Sequence, residues 1–142
     1  MKRCLVDVNV LLALVAQRHA HHSSARRWYG ALAAGEAGLC RVVQLALIRL
    51  LNNASVMGDD ALPAAAAWRL IEELLQDERL EFVEEPELID SVLPTLFVHR
   101  MPTGKFVMDA YLAGFAMAGS RRLVTFDKGF EQFRGLELEL LR

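Results

Sequence analysis

Hydrophobic positions near the start of the chain change their spacing around a single acidic residue. Residues 4–6 form a short apolar run, and from Val10 the apolar positions recur at helical spacing until about Arg18. A short continuous apolar run is typical of a buried strand in a parallel sheet. The pattern therefore predicts a strand, a break at Asp7 and then a helix.

Helices and strands alternate along the rest of the chain. Ser23 or Ser24 is placed to cap a second helix, which is predicted to end near Ala34 with Gly35 as its C-terminal cap. Trp68 falls at core spacing on a later helix. The other predicted elements are, in order, a strand over 39–42, a helix over 43–53, a helix over 64–76, a strand over 80–83, a helix over 84–93 that Pro94 ends or kinks, a helix over 105–119, a strand over 122–125 and a last strand over 136–140.

Composition and charge narrow the class of protein. The alternation predicts right-handed crossovers and an α/β fold with a mainly parallel sheet, and 142 residues predict one domain over 1–142. With 54% hydrophobic residues and no apolar run near the roughly 20 residues of a membrane helix, we expect a soluble, cytoplasmic protein. The net charge of -2 argues against a protein that mainly wraps nucleic acid.

The cysteines and clustered histidines have ordinary explanations. Cys4 and Cys40 fall in predicted strands without metal-ligand spacing, which favours two buried, reduced thiols. His19, His21 and His22 lie in a polar turn with no Cys, Asp or Glu at ligand spacing. We therefore expect a structural or solvated role for the histidines rather than a metal site.

Three acids are predicted to meet at one edge of the sheet. Asp7 and Asp127 follow apolar strands, and Asp109 lies early in the helix over 105–119. Ligands of parallel sheets bind outside the carboxyl ends of the strands, and carboxylates that converge there are stabilised by a hard divalent cation. For Asp7 a second explanation stays open, because an aspartate before a helix can cap its free amides.

Five segments together resemble the PIN-domain ribonucleases, in particular the VapC-type toxins of toxin-antitoxin pairs. They are LVDVNVLLAL at 5–14, HAHHSSARRWY at 19–29, VVQLALIRLL at 42–51, MDAYLAGFA at 108–116 and LVTFDKGFEQF at 123–133. The resemblance implies a three-layer α/β/α domain with a mainly parallel five-stranded sheet, and hydrolysis of RNA with Mg²⁺ or Mn²⁺. It also implies a homodimer and a small antitoxin. Candidates for RNA contact are Arg26, Arg27, Arg49, Arg100, Lys105 and Lys128.

The family's site residues map onto five positions of this chain. By resemblance, Asp7, Asp109 and Asp127 match the first, third and fourth acids of the family and would hold the metal and carry catalysis. Thr125 matches a hydroxyl residue often found shortly before the fourth acid, and Asn9 matches the asparagine after the first. These two side chains would orient waters or loop backbone.

One acid of the family pattern is missing. The family usually has a glutamate on its third helix, and the match of LALIRLL puts Ala46 there. Gln44, two residues earlier, is expected to reach the rim of the pocket with an uncharged amide. Glu131, four residues after Asp127, is a weaker candidate for the missing carboxylate.

Two other functions stay open from the sequence. Without the acid at position 46 the chain could be a degenerate PIN domain that binds RNA or an antitoxin without cleavage. The stretch DVNVL at 7–11 also lies close to the DxDx pattern of haloacid-dehalogenase-like phosphatases, in which Asp7 would attack phosphate. Asn9 cannot donate the proton that the second acid of that pattern supplies, so the phosphatase is a remote alternative.

Overall fold

Strands and helices alternate along residues 2–98 and 104–142, the parts of the chain that this computed structural model describes. The strands are β1 Cys4–Val6, β2 Ala37–Leu39, β3 Leu80–Phe82, β4 Arg122–Thr125 and β5 Leu138–Leu140. The α-helices are α1 Val8–Val15, α2 His22–Gly30, α3 Arg41–Leu51, α4 Ala54–Met57, α5 Ala64–Leu74, α6 Ile89–Leu96 and α7 Gly104–Ala118. Two 3₁₀ helices span Gly58–Asp60 and Lys128–Gln132. Arg100, one of the candidates for RNA contact, lies outside the described residues.

The five strands form one sheet in the order β3-β2-β1-β4-β5, and every neighbouring pair is parallel. The predicted five-stranded sheet is therefore confirmed. The chain moves outward from β1 through β2 to β3, then crosses to the other side of β1 and continues through β4 to β5. This reversal makes the crevice between β1 and β4 the topological switch point, where ligands of such sheets bind.

The reversal also distributes the helices over both faces of the sheet. Because parallel crossovers are right-handed, opposite directions of travel put α1 to α5 on one face and α6 and α7 on the other. Accordingly α1 contacts α2 and α3, α3 contacts α5, and α6 packs against α7. The three-layer architecture is confirmed. Within the described residues, no helix is both long and apolar enough to cross a membrane.

The centre of the sheet is closely packed. All three residues of β1 are fully buried, and so are Leu123 and Val124 of the neighbouring strand. On the other side of β1, a Cβ atom on Gly38 would lie 2.5 Å from a methyl carbon of Val83 and 3.2 Å from the carbonyl oxygen of Cys4. Only glycine fits at this position without movement of a neighbouring atom.

The second strand is the clearest correction to the predicted elements. It spans Ala37–Leu39, whereas the apolar pattern predicts 39–42. Cys40 is the residue before α3, and Val42 already belongs to that helix. The apolar run continues from strand into helix without a polar break, so spacing alone cannot locate the boundary. Both cysteines are buried and free, as predicted.

The first two helices also differ from their predicted bounds. Helix α1 begins at Val8 rather than Val10 because the side chain of Asp7 caps it. Helix α2 spans His22–Gly30, so both candidate serine caps lie inside its first turn and its end is four residues earlier than predicted. Gly35 is not a helix cap but has a positive φ of 69° in the turn before β2.

Trp68 and the bounds of α6 contradict two further expectations. Trp68 is 40% exposed, because Ala67 and Ile71 form the buried face of α5 and place the indole at its edge. Pro94 lies inside α6, which spans Ile89–Leu96 and neither starts nor ends where the sequence predicts. The proline removes one helical hydrogen bond without ending the helix.

Candidate active site

Three carboxylates line one cavity at the carboxyl ends of the central strands. Asp7 directly follows β1, Asp127 lies two residues after β4, and Asp109 projects from the second turn of α7. The cavity has a volume of about 630 Å³. Its lining residues are Asp7, Val8, Asn9, Val42, Val43, Leu45, Ala46, Arg49, Leu50, Lys105, Met108, Asp109, Leu112 and Asp127.

Asp7 is the most deeply buried of the three acids, with 5% of its surface exposed. Its Oδ1 accepts a hydrogen bond from the backbone amide of Val8 at 2.7 Å, and its Oδ2 accepts one from the hydroxyl of Thr125 at 2.7 Å. Burial raises the pKa of Asp7, and these two hydrogen bonds oppose that rise. Asp7 thus caps α1 and faces the cavity at once, so the two explanations do not exclude each other.

Thr125 connects the ends of the two central strands. It is fully buried, and its Oγ1 donates to Asp7 while accepting a hydrogen bond from the backbone amide of Asp127 at 2.9 Å. The carboxylate of Asp127 is held further by the amide of Gly129, which donates to Oδ1 at 2.8 Å. One hydroxyl therefore fixes the position of one acid and the backbone of another.

Lys105 lies between the other two acids. Its Nζ is 2.7 Å from Oδ2 of Asp127 and 3.4 Å from Oδ2 of Asp109, which follows it by one helical turn. The hydrogen bond from Lys105 lowers the pKa of Asp127. Burial raises the pKa of Asp109 even though the same ammonium opposes that rise.

The contacts of Lys105 also test how well the site fits a cation. The carboxylates of Asp109 and Asp127 share one ammonium, and the carboxylate of Asp7 lines the same cavity. Within residues 2–98 and 104–142, no group of three His, Cys, Asp or Glu side chains is arranged to hold a metal ion. Mg²⁺ itself needs only one or two protein carboxylates, because waters and phosphates complete its shell. The donor set therefore suits a hard divalent cation.

Comparisons with known proteins agree with this arrangement. The family model described as PIN domain matches residues 4–136. Ribonuclease VapC41 of Mycobacterium tuberculosis is 38% identical to this chain, with 96% of this chain and 97% of the relative covered. The chain belongs to the VapC branch of the PIN-domain family. This membership decides against the phosphatase alternative.

Solved structures of distant relatives share the fold of this VapC-family chain. Mycobacterium tuberculosis VapC20, described as a sarcin-ricin loop cleaving toxin, superposes with a TM-score of 0.64 at 18% identity, over 90% of this chain and 92% of the other. A toxin-antitoxin complex from Klebsiella pneumoniae gives a TM-score of 0.63 at 15% identity, over 94% of both chains.

Of the remaining predicted site residues of this VapC-family chain, some line the cavity and others do not. Asn9 is exposed and lines the cavity, as does Ala46, the position at which the family usually has an acid. Gln44 does not reach the cavity, because it is buried and its Oε1 accepts a hydrogen bond from Arg41. Glu131 is exposed and does not line the cavity either.

The basic residues that are candidates for RNA contact also differ in whether they line the cavity. Arg49 and Lys105 line the cavity. Arg26 and Arg27 are exposed on α2, and Lys128 is exposed on the second 3₁₀ helix, none of them among the cavity residues. The histidines form local contacts, since the Nδ1 of His22 hydrogen-bonds the carbonyl oxygen of Ala13 and His21 stacks on Phe126.

Sequence reasoning missed one wall of the cavity. Apolar side chains from α3 and α7 line it together with the acids, namely Val42, Val43, Leu45, Leu50, Met108 and Leu112. Leu45 and Met108 are about half exposed, at 54% and 46%. Helical spacing indicates these positions as apolar, but it assigns them to the core and gives no sign that they border a polar site.

Proposed function

We propose that this VapC-family chain is a metal-dependent endoribonuclease and the toxin of a type II toxin-antitoxin pair. The observation that carries the proposal is the convergence of Asp7, Asp109 and Asp127 on one cavity at the switch point of the sheet. The 38% identity to a protein named as a ribonuclease supports RNA as the substrate. An acidic, partly open cavity with two basic residues at its wall suits a phosphodiester backbone.

In this proposal the three aspartates hold Mg²⁺ or Mn²⁺, directly or through water. When bound, the ion lowers the pKa of a water, orients it for in-line attack and neutralises charge that develops on the phosphate. Asp109 lies on α7, whereas Asp7 and Asp127 follow the carboxyl ends of β1 and β4, so three separate segments of the chain provide the oxygen ligands. Asn9, exposed at the cavity wall, orients water or substrate.

The chain's own contacts preorganise this site before any RNA arrives. The hydroxyl of Thr125 and the amide of Val8 hold the carboxylate of Asp7 with both oxygens engaged. The amide of Gly129 and the ammonium of Lys105 do the same for Asp127. Fixed donors of this kind do not need to reorganise when charge develops, which is the main electrostatic advantage of an enzyme site. The apolar wall lowers the local dielectric and strengthens each of these interactions.

We further propose that the chain forms a homodimer and binds a small antitoxin in the cytoplasm. Support for the partner comes from the shared fold with the Klebsiella pneumoniae toxin-antitoxin complex. The half-exposed apolar residues beside the acidic cavity give such a partner a surface to bury. Two buried, reduced thiols are consistent with a reducing compartment.

RNA cleavage by the purified full-length chain tests the proposal. Structured RNAs are incubated with Mg²⁺ or Mn²⁺, and the new ends are mapped for wild type, Asp109→Asn and the control Asp90→Asn. Asp90 is exposed on α6 and does not line the cavity. We expect metal-dependent cleavage that Asp109→Asn reduces by about 100-fold or more, because even outer partners of metal sites are worth 10- to 100-fold. Asp90→Asn should cleave as wild type does.

A second candidate function rests on Ala46. This residue lines the cavity without a carboxylate, so the site has fewer ligands than the family pattern. A degenerate domain of this kind would bind RNA or an antitoxin without cleaving. Equal inactivity of wild type and Asp109→Asn across many RNAs and both metals would reject the nuclease and favour this binding function.

A further inference from the structure

Lys105 introduces a positive charge into a cavity whose acids would otherwise repel each other. Its ammonium contacts two carboxylates on different elements, Asp109 on α7 and Asp127 after β4. The lysine side chain is 66% exposed, against 14% for Asp109 and 25% for Asp127, and solvent screening at the ammonium limits what these pairs contribute to stability. Its position one helical turn before Asp109 fixes the ammonium in the cavity wall. A contribution to stability alone therefore does not account for the position of Lys105 in the cavity.

The charges of the site are unevenly distributed. Lys105 neutralises part of the outer pair, whereas, among the residues that the structure describes, the deep carboxylate of Asp7 accepts hydrogen bonds from the uncharged donors of Val8 and Thr125 alone. With the guanidinium of Arg49, three carboxylates and two basic groups leave one net negative charge among the residues that line the cavity. One divalent cation already exceeds that charge, and a second would be repelled by Lys105, by Arg49 and by the first ion.

We propose that Lys105 is a built-in cation that takes the electrostatic place of a second metal ion, so that the site binds one divalent cation per chain. The inference rests on the proposed function and specifies the metal count and the positioning residue of that site. Ala46 fits the same account, because a neutral residue at the cavity wall removes a carboxylate that would otherwise attract a further ion. Lys105 also stays accessible to a phosphate oxygen, since it lines the cavity and is mostly exposed.

Direct measurement of Mn²⁺ binding tests the inference without reference to catalysis. Calorimetry and the electron paramagnetic resonance signal of free Mn²⁺ give affinity and stoichiometry for the full chain. The variants are Lys105→Met, which keeps the aliphatic stem, Lys105→Arg, which keeps the charge, and Lys128→Met. Lys128 is the matched control because it follows Asp127 in sequence, is exposed and does not line the cavity. Thermal melting checks that each variant folds.

Wild type should bind one Mn²⁺. Lys105→Met should bind the first ion about tenfold more tightly, as expected for removing one charge a few ångströms away, and should accept a second ion at higher concentration. Lys105→Arg and Lys128→Met should resemble wild type. Two ions on wild type, no binding by wild type, or Lys105→Met indistinguishable from Lys128→Met would each overturn the inference.

The two proposals can fail separately. RNA cleavage by wild type together with unchanged Mn²⁺ binding in Lys105→Met would reject the role of Lys105 and leave the nuclease standing. The expected change in Mn²⁺ binding with an inactive wild type would support the role of Lys105 in the site and reject the nuclease.

Discussion

The hydroxyl of Thr125 offers the sharpest test of how the site is held together. Replacing Thr125 by valine keeps the shape of the side chain and removes one donor and one acceptor. The lost contacts are the 2.7 Å bond to the carboxylate of Asp7 and the 2.9 Å bond from the amide of Asp127. Because Thr125 is fully buried and its bond to Asp7 is buried too, water cannot replace the hydroxyl beside the carboxylate of Asp7. We expect the folded state to lose stability even without metal or RNA.

The magnitude follows from the two bonds. A hydrogen bond to a charged group contributes about 1.5–3 kcal/mol, and one between neutral groups about 0.5–1.5 kcal/mol. Asp127 is partly exposed, so its amide recovers some of the loss through solvent. Thr125→Val should therefore lower the free energy of unfolding by about 2–4 kcal/mol at pH 7. Thr95→Val is the matched control, because the hydroxyl of Thr95 is exposed on α6. This control should change the free energy of unfolding by less than about 0.5 kcal/mol.

The effect should depend on pH in a defined direction. Burial raises the pKa of Asp7 in the folded chain above its ordinary value of about 4. In the pH window between the ordinary and the raised pKa, the folded state therefore binds more protons than the unfolded state. Stability contributed by this group therefore falls as pH rises through the window. Loss of the Thr125 bond raises the pKa of Asp7 further and widens the window. The difference between variant and wild type should shrink to about 1 kcal/mol below pH 4, where Asp7 is protonated in both states.

Urea unfolding in the presence of EDTA at a series of pH values measures these differences. A Thr125→Val effect no larger than that of Thr95→Val would refute the inference that Thr125 holds a buried, charged Asp7. A large effect with the same size at pH 3.5 and pH 7 would refute the pH argument and point to packing instead.

Three other features of the chain give shorter predictions. Gly38→Ala should destabilise the protein by about 1–3 kcal/mol through overpacking at the centre of the sheet. Gly30→Ala should not, because among the described residues no atom outside its own helix backbone and chain neighbours lies within 4 Å of the added Cβ, and equal urea midpoints for the two variants would contradict the packing argument. Ala46→Glu adds a carboxylate to the cavity wall and should raise Mn²⁺ affinity about tenfold by calorimetry. An unchanged affinity would show that a charge at position 46 does not interact with the bound ion. Burial raises the pKa of Cys4 to about 11 and also raises that of Cys40, so both thiols should react with a disulfide reagent only after unfolding; rapid labelling of the native chain would contradict their burial.

Much of the fold could be predicted because its signals are local. The apolar runs at β1 and β4 and the long helical pattern of α7 predict those three elements closely. Signals at element boundaries are weaker. The apolar pattern predicts a strand over 39–42 instead of Ala37–Leu39 because the apolar run continues into α3. Helical spacing predicts a buried Trp68 because it cannot distinguish the middle of a buried face from its edge.

By itself, the sequence determined the α/β class and predicted that three acids lie at strand ends and early in a helix, because these features are encoded by residues that are neighbours in the chain. The family came from the resemblance of five segments to the PIN-domain ribonucleases. Only the tertiary structure decided that Gln44 turns away from the cavity, that Thr125 joins Asp7 to the backbone of Asp127, and that Lys105 lies between two carboxylates. Each of these facts depends on side chains from different elements meeting at the switch point of the sheet. Spacing along one element does not contain that information, because the meeting depends on strand order, crossover handedness and the packing of α7 beside β4.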